Sequence, residues 1–379
     1  MKRVAVVVPF GYQRGGAEAM LMHLLRENAA RPKIDFPLFF LGDGPLVDEM
    51  RGLGYAVTLF PPPGRLREIY RNVSTVLQLR RAFYRADVDS VLSWMASSHV
   101  YAGPAALSLG IPVFWFLHRI PGPDRMTRIY NAIPTTGILA CSLAAASAQT
   151  NMTPHRPVTI CHPAVDLAHL EHVKQKGQTY WRFRLGLPVQ VPVVGMVARM
   201  DQGKGVDVFI KMIAQLARRH VDLHAFLVGG ADSLGQDYAS ELHAMAEATG
   251  LGDRLRLVGH RPLEEVAGWW CACDVAIHPV TGAEAFGMGI VEAMAMGKPV
   301  IASAMGGPAE IIQDQVNGLL CAPGDVDGLL RASHRILADP ELGQSLGEAA
   351  RARALEFSPQ RLLQCLATHF SGEPWGDAR

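Results

Sequence analysis

The chain has no uninterrupted apolar stretch of about 20 residues, the length a membrane-spanning helix needs. Its best stretch, 102–117, is cut by Gly103, Pro104, Gly110 and Pro112. Nor does it carry an excess of one charge: 36 Lys and Arg stand against 35 Asp and Glu, net +1, which gives no reason to expect nucleic acid. Its six cysteines are scattered, and the one close pair, Cys271-Ala-Cys273, lacks the C-x2-C spacing usual for zinc; the expectation is reduced, buried thiols. HExxH, P-loop, G-x-S-x-G and kinase signatures are missing, as is the G-x-G-x-x-G dinucleotide fingerprint. There are no short internal repeats and no low-complexity segment. The start, Met1-Lys-Arg-Val-Ala-Val-Val-Val-Pro9, is too short for a signal peptide and runs into Gln13-Arg14-Gly15-Gly16 without a small-residue cleavage site, so it reads as a first strand. These exclusions point to a cytoplasmic protein.

What is present is a chain of 379 residues, 49% hydrophobic and 19% charged, long enough for two domains with ample core. Strand and helix patterns alternate: strands at Val4–Pro9, Ile34–Phe40, Val57–Phe60, Val91–Trp94, Val113–Leu117 and Gly137–Ser142, with helical stretches between. Residues 164–190 lack strand character and suit a connector. The alternation restarts with Val193–Val197, His224–Val228, Leu255–Val258, Val275–His278 and Val300–Ala302, and helices close the chain. This predicts an α/β fold of two parallel sheets covered by helices on both faces. The predicted domains are 1–170, 171–358 with 171–190 as connector, and a terminal helix and tail over 359–379. Charge divides unevenly: residues 1–180 hold 19 basic and 12 acidic side chains, and residues 181–379 hold 17 and 23.

The chemistry concentrates in Glu284-Ala-Phe-Gly-Met-Gly-Ile-Val-Glu292, which continues as Ala293-Met-Ala-Met-Gly297-Lys-Pro299. Two carboxylates stand eight positions apart around the loop Phe286-Gly287-Met288-Gly289. A helix begins here and stops at Gly297-Lys-Pro299, before the buried-strand pattern Val300-Ile-Ala-Ser303. The loop therefore belongs at a helix N-terminus beside the carboxyl ends of a sheet, where open α/β sheets bind ligands and where amides and the helix dipole favour an anion. Amides for a phosphate, flanked by acids that can hold sugar hydroxyls, suggest a nucleotide-sugar site.

This E-x7-E pattern, with EAMAMGKPVIAS after it, resembles the retaining glycosyltransferases of family 4. The likeness extends upstream to Gly195-Met-Val-Ala-Arg199-Met-Asp-Gln-Gly-Lys204-Gly205 and downstream to Gly306-Gly307-Pro-Ala-Glu310. It is dense over about residues 190–330 and thin before them. It implies the GT-B fold: two Rossmann-like domains facing each other across a cleft, with a C-terminal helix crossing back to the N-terminal one. It also implies a nucleoside-diphosphate sugar donor, UDP or GDP, held by the second domain. Glu284 would lie at the transferred sugar, Glu292 would hold the ribose hydroxyls, and the loop through Ile290 and Val291 would line the donor.

Arg199 and Lys204, at a strand-to-helix turn, suit a diphosphate leaving group, Arg bidentately and Lys as a point charge. Gly15 and Gly16, between the first strand and helix, allow close approach of a phosphate. His118 ends the strand Val113-Phe-Trp-Phe-Leu117, where the resemblance places a histidine near sugar and acceptor. Gly229 would face the phosphates and Arg261 the base. The sequence departs from the family at His162-Pro-Ala-Val-Asp166, where relatives often have Asn-Gly-Val-Asp. Asp87-Val-Asp89 precedes its strand and Asp325 reads as a helix cap, so no metal and no cofactor are expected. The expected catalytic set is Glu284, His118, Arg199 and Lys204. The expected acceptor is a glycan hydroxyl, lipid-linked or of the cell envelope, with a soluble small molecule as the alternative. A phosphorylase or epimerase on the same fold and a non-catalytic nucleotide-sugar-binding protein are the remaining readings. The basic, half-apolar segment Arg65–Arg85 suggests peripheral contact with an anionic inner membrane face.

Overall fold

A computed structural model describes residues 1–12, 15–64, 67–231 and 235–371, the side chains of residues 263 and 264 excepted. Gln13 and Arg14 of the expected first turn, Arg65 of the basic segment and the tail 372–379 lie outside the described residues.

The first unit comprises Met1–Ala164 and the chain from Pro359 onward. Its strands are β1 (Val4–Val8), β2 (Leu38–Phe40), β3 (Val57–Leu59), β4 (Ser90–Ser93), β5 (Val113–Leu117), β6 (Gly137–Ala140) and β7 (Val158–Ile160). Among the described residues they form one sheet in the order β3-β2-β1-β4-β5-β6-β7, every pair parallel. Val4 to Val8 are all fully buried, because helices cover both faces of a parallel sheet and a central strand must be apolar on each. The strand order reverses between β1 and β4, which opens a crevice at their carboxyl ends.

The second unit, Val165–Ser358, repeats this plan. It contains β8 (Val193–Val197), β9 (His224–Val228), β10 (Leu255–Gly259), β11 (Val275–His278), β12 (Val300–Ser303) and β13 (Leu319–Cys321), in the parallel order β10-β9-β8-β11-β12-β13. Phe209, Ile213 and Leu216 of the helix Val206–Leu216 join Leu329 and Ile336 of the helix Val326–Ala338 over Val194, Leu227 and Ile277 of the sheet. Here the order reverses between β8 and β11, so the loops that follow these two strands meet.

Three features differ from expectation. The units divide at Ala164 and Val165, six residues before the expected boundary at 170. The expected connector 171–190 overlaps two helices, Leu167–Gln175 and Gln178–Arg184, both packed on the helix Leu263–Ala272. Arg182 is 4% exposed and anchors them: its guanidinium donates to Asp274 Oδ2 at 2.6 Å and to the carbonyls of Val189 and Ala272 at 2.7 and 2.9 Å. Finally, β2 begins at Leu38 rather than Ile34, since Pro37 has no N–H for a ladder.

The terminal helix Pro359–Ser371 packs within the first unit on the helix Gly16–Ala30. Gln360 Nε2 donates to Glu27 Oε2 at 2.8 Å, and Phe370 stands edge-on to Phe114 with ring centroids 5.3 Å apart.

Candidate active site

The loop after β8 turns at Asp201–Lys204 and enters the helix Val206–Leu216 through Gly205. Gly205 has φ +72°, and a Cβ there would lie 1.8 Å from Pro279 O, so only glycine lets this turn press against the loop after β11. Two further bonds fix the contact: the amides of Thr281 and Gly282 donate to Gly203 O at 2.9 and 3.0 Å. On the other side the Gly307 amide donates to Glu284 O at 2.9 Å. A Cβ on Gly307 would come within 2.2 Å of Phe286 O. Two backbone clamps thus place Glu284 opposite Lys204.

Lys204 Nζ lies 2.6 Å from Glu284 Oε2, and His278 Nε2 reaches the same oxygen at 3.3 Å. Burial alone would raise the Glu284 carboxyl. The hydrogen bond and charge of His278 and then Lys204 outweigh it and hold the group down at about 2. It is therefore a carboxylate at any physiological pH. Among the described residues nothing donates to its Oε1, which keeps its lone pairs for a hydroxyl.

Glu292 has the opposite setting. Its side chain keeps some solvent contact, yet the carboxyl lies deep enough that desolvation raises it to about 7 against a single hydrogen bond from Trp270 Nε1 at 3.3 Å. The helix Met288–Ala295 carries it on its first turns. The amides of Gly287, Met288 and Gly289 have no partner within that helix, as at any helix start. Ile290 and Val291 already donate to Gly287 O at 3.0 and 3.4 Å, and their side chains are buried. Phe286 is also buried, its ring against Phe357 at 5.3 Å. These three anchor the loop, and Gly287 to Gly289 present it.

The remaining expected residues are distributed as follows. Arg199 is exposed and pairs with Asp201 at 2.6 Å. Gly229 donates to Gly259 O at 3.0 Å, and Gly230 O accepts from Met200 N at 3.0 Å, so the ends of β8, β9 and β10 are tied together. Arg261 bonds the carbonyl of His260 at 2.8 Å and lies 3.6 Å from Glu265.

In the first unit, Gly15 caps the helix Gly16–Ala30, and among the described residues, its chain neighbours aside, no atom lies within 4 Å of a Cβ built on it. His118 lies in the same unit, stacked on Phe116 with centroids 4.5 Å apart. Burial pushes its imidazole down to about 4, and the bond to Trp94 O pulls only weakly upward. The ring is neutral at neutral pH. A carbonyl only accepts, so Nε2 (2.7 Å from Trp94 O) carries the proton and Nδ1 offers a lone pair.

Two residues in this geometry were missed by sequence reasoning, His278 and Trp270. His278 ends β11 at the carboxyl edge and His118 directly follows β5 at its own, and that similar position was the available signal. Asp89 and Asp325 have structural roles: Asp89 accepts from Arg3 N at 2.7 Å and Asp325 caps its helix through Gly328 N at 2.8 Å.

The family described as "Glycosyl transferases group 1" matches residues 177–353, and "Glycosyltransferase Family 4" matches residues 14–169. The D-inositol 3-phosphate glycosyltransferase of Corynebacterium jeikeium is 29% identical over 211 residues, 55% of this chain and 50% of the relative. The enzyme of the same name from Salinispora arenicola is 32% identical over 216 residues, 55% and 48% of the two chains. The chain spans about half the length of the curated relatives it matches. Alr3699/HepE of Anabaena, solved in complex with UDP and glucose, is 25% identical with a TM-score of 0.82, covering 98% of this chain and 100% of that one. With one family match on each of two parallel-sheet units, and a fold shared along nearly the whole chain, the protein belongs to the family 4 glycosyltransferases and has the GT-B fold.

Proposed function

We propose that the protein is a retaining hexosyltransferase that moves a sugar from a nucleoside-diphosphate donor, UDP in the first instance, to a hydroxyl of an acceptor. The observation that carries this is the Lys204–Glu284–His278 cluster beside the first turn of the helix Met288–Ala295. Lys204, Arg199 and the amides of Gly287 to Gly289 would hold the diphosphate, and Glu292 the ribose hydroxyls. Glu284 Oε1 and, in the first unit, His118 Nδ1 would accept from hydroxyls. The bond between C1 and the phosphate oxygen breaks with its electrons going to the diphosphate, which those cations stabilise. The acceptor oxygen then bonds to C1 on the same face. Its proton passes to the departing phosphate oxygen, so no protein base and no metal are required. The UDP and glucose bound by Alr3699/HepE support a UDP-hexose donor.

For the acceptor we propose a lipid-linked or envelope glycan, a reading supported by the surface of one helix in the first unit. In the helix Ile69–Ala86, Thr75, Leu79 and Phe83 face the core, whereas Ile69, Val73 and Leu77 form a second, exposed line. Tyr70 and Tyr84 are 88% and 76% exposed, among the exposed Arg71, Arg80, Arg81 and Arg85. Apolar and aromatic side chains set among arginines suit an anionic lipid surface. A soluble, phosphorylated small-molecule acceptor is the second reading, supported by the names of the curated relatives.

The test is thermal unfolding with UDP, GDP and ADP, followed by turnover of the matching hexose donor in EDTA. A nucleotide at a hundred times its Kd should stabilise by about 2.7 kcal/mol. Proton NMR of the product should show an α-linkage from an α-donor. Arg199→Ala should lower turnover at least ~10-fold, the loss of one charge-assisted hydrogen bond. Donor turnover unchanged by the double substitution R199A/K204A would overturn the site. Nucleotide binding without turnover would leave a binding protein.

A further inference from the structure

Two thiols far apart in sequence meet within the first unit. Cys161 directly follows β7 and is fully buried; Cys365 lies on the terminal helix Pro359–Ser371 and is partly exposed. Their sulfurs are 2.7 Å apart across 204 positions of chain, and Cys365 Sγ also lies 3.9 Å from Ile160 O. The chemistry assigned to the nucleotide site uses neither residue. On the terminal helix, Leu362, Leu363, Leu366 and Phe370 are the buried side chains, and Cys365 stands at its partly exposed margin. A buried thiol touching a reachable one on a separate element is the arrangement that thiol–disulfide exchange requires.

We propose that Cys161 and Cys365 form a reversible disulfide with a low-molecular-weight disulfide as oxidant, fastening the terminal helix to the edge of the first sheet. Cys365 acts first because it alone of the two is partly exposed, Cys161 being fully buried. It loses its proton and attacks one sulfur of the small disulfide; that S–S bond breaks and one thiol leaves. Cys161 then gives up its proton and attacks the Cys365 sulfur of the mixed disulfide, and the second small thiol leaves. Two electrons pass from the protein to the small disulfide, which is reduced to two thiols. Burial and the neighbouring sulfur raise the Cys161 thiol, so it does not compete with Cys365 for the small disulfide and attacks only the mixed disulfide held against it. The product closes a loop that contains the entire second unit, and it constrains the unfolded chain accordingly.

The full chain, reduced and then exposed to oxidised glutathione, should lose two thiols and two hydrogens by intact mass. Peptide mapping should recover residues 161 and 365 in one cross-linked fragment, and Tm should rise by at least ~5 °C relative to the protein in dithiothreitol. Cys161→Ser should stop at a glutathione adduct on Cys365, and Cys365→Ser should form neither product. A persistent glutathione adduct on the unsubstituted protein, no loss of thiols, or a cross-link between other cysteines would overturn the proposal. The readouts are mass and stability, so they are independent of whether any sugar is transferred.

Discussion

At the scale of single residues, two carboxylates eight positions apart carry opposite electrostatics because their partners differ. Glu284, held at about 2 by His278 and Lys204, is depressed in the folded protein. Its stabilisation is complete above the unfolded value near 4.5 and is lost as pH falls through that value toward 2. At 1.36 kcal/mol per pKa unit the effect is on the order of 3 kcal/mol. Glu292, raised to about 7, acts in reverse: the folded state prefers the neutral acid, and stability falls as pH rises from about 4.5 through 7. Denaturant unfolding across pH should therefore separate two variants. Glu284→Gln should be less stable than the parent at pH 7 and converge with it toward pH 2. Glu292→Gln should match the parent near pH 4 and exceed it above pH 7. Equal pH slopes for parent and variants would contradict both assignments. The carboxylates and Lys204 were legible in the sequence because glycines and helix formers surround them at fixed spacing. His278 and Trp270 were not, since their partners lie 6 and 22 positions away on other elements and no local pattern marks the pairing.

Among the elements, the site depends on loops brought together where strand order reverses. The turn between β8 and its helix touches the loop after β11 only because Gly205 adopts φ +72°. Gly205→Ala should cost about 1–2 kcal/mol from the left-handed backbone alone, and more from the contact with Pro279 O. It should also move Lys204 off Glu284. The expected outcome is a lowered Tm together with at least ~10-fold weaker UDP binding by calorimetry, since one charge-assisted contact is lost. A lower Tm with unchanged UDP affinity would show that the turn serves the fold alone. Most central strands were readable as apolar runs, for instance Val113–Leu117 and Val193–Val197. The edge strands β7 and β13 were not: each has three residues, of which only Leu319 is fully in the core, with too little pattern to show a period. The helices from Leu167 to Arg184 were read as connector, because what holds them, the buried Arg182 on Asp274, is a contact between residues 92 positions apart.

On the scale of the whole molecule, charge separates along the chain, with the first 180 residues basic and the remainder acidic. The exposed line Ile69, Val73 and Leu77 shows that the helix Ile69–Ala86 has apolar surface beyond what its own unit buries. Each basic residue near an anionic surface adds only ~1 kcal/mol, so binding needs several at once and weakens with salt. Sedimentation should show the protein with anionic vesicles at low ionic strength, less at high, and little with neutral vesicles. Replacing Tyr70 and Leu77 by Ser should weaken sedimentation while Tm stays within ~2 °C, since both side chains are exposed. Equal or absent binding to both vesicle types would favour the soluble acceptor.

The terminal helix has a consequence for synthesis. It completes the first unit, yet it is the last helix described along the chain. While the intervening residues are translated, about 200 of them at ~5–20 per second, the groove for Leu362, Leu363, Leu366 and Phe370 stays open for roughly 10–40 s. The second unit is continuous in sequence and has no such wait. On the ribosome the order of completion is therefore reversed: the half that is made second is finished first.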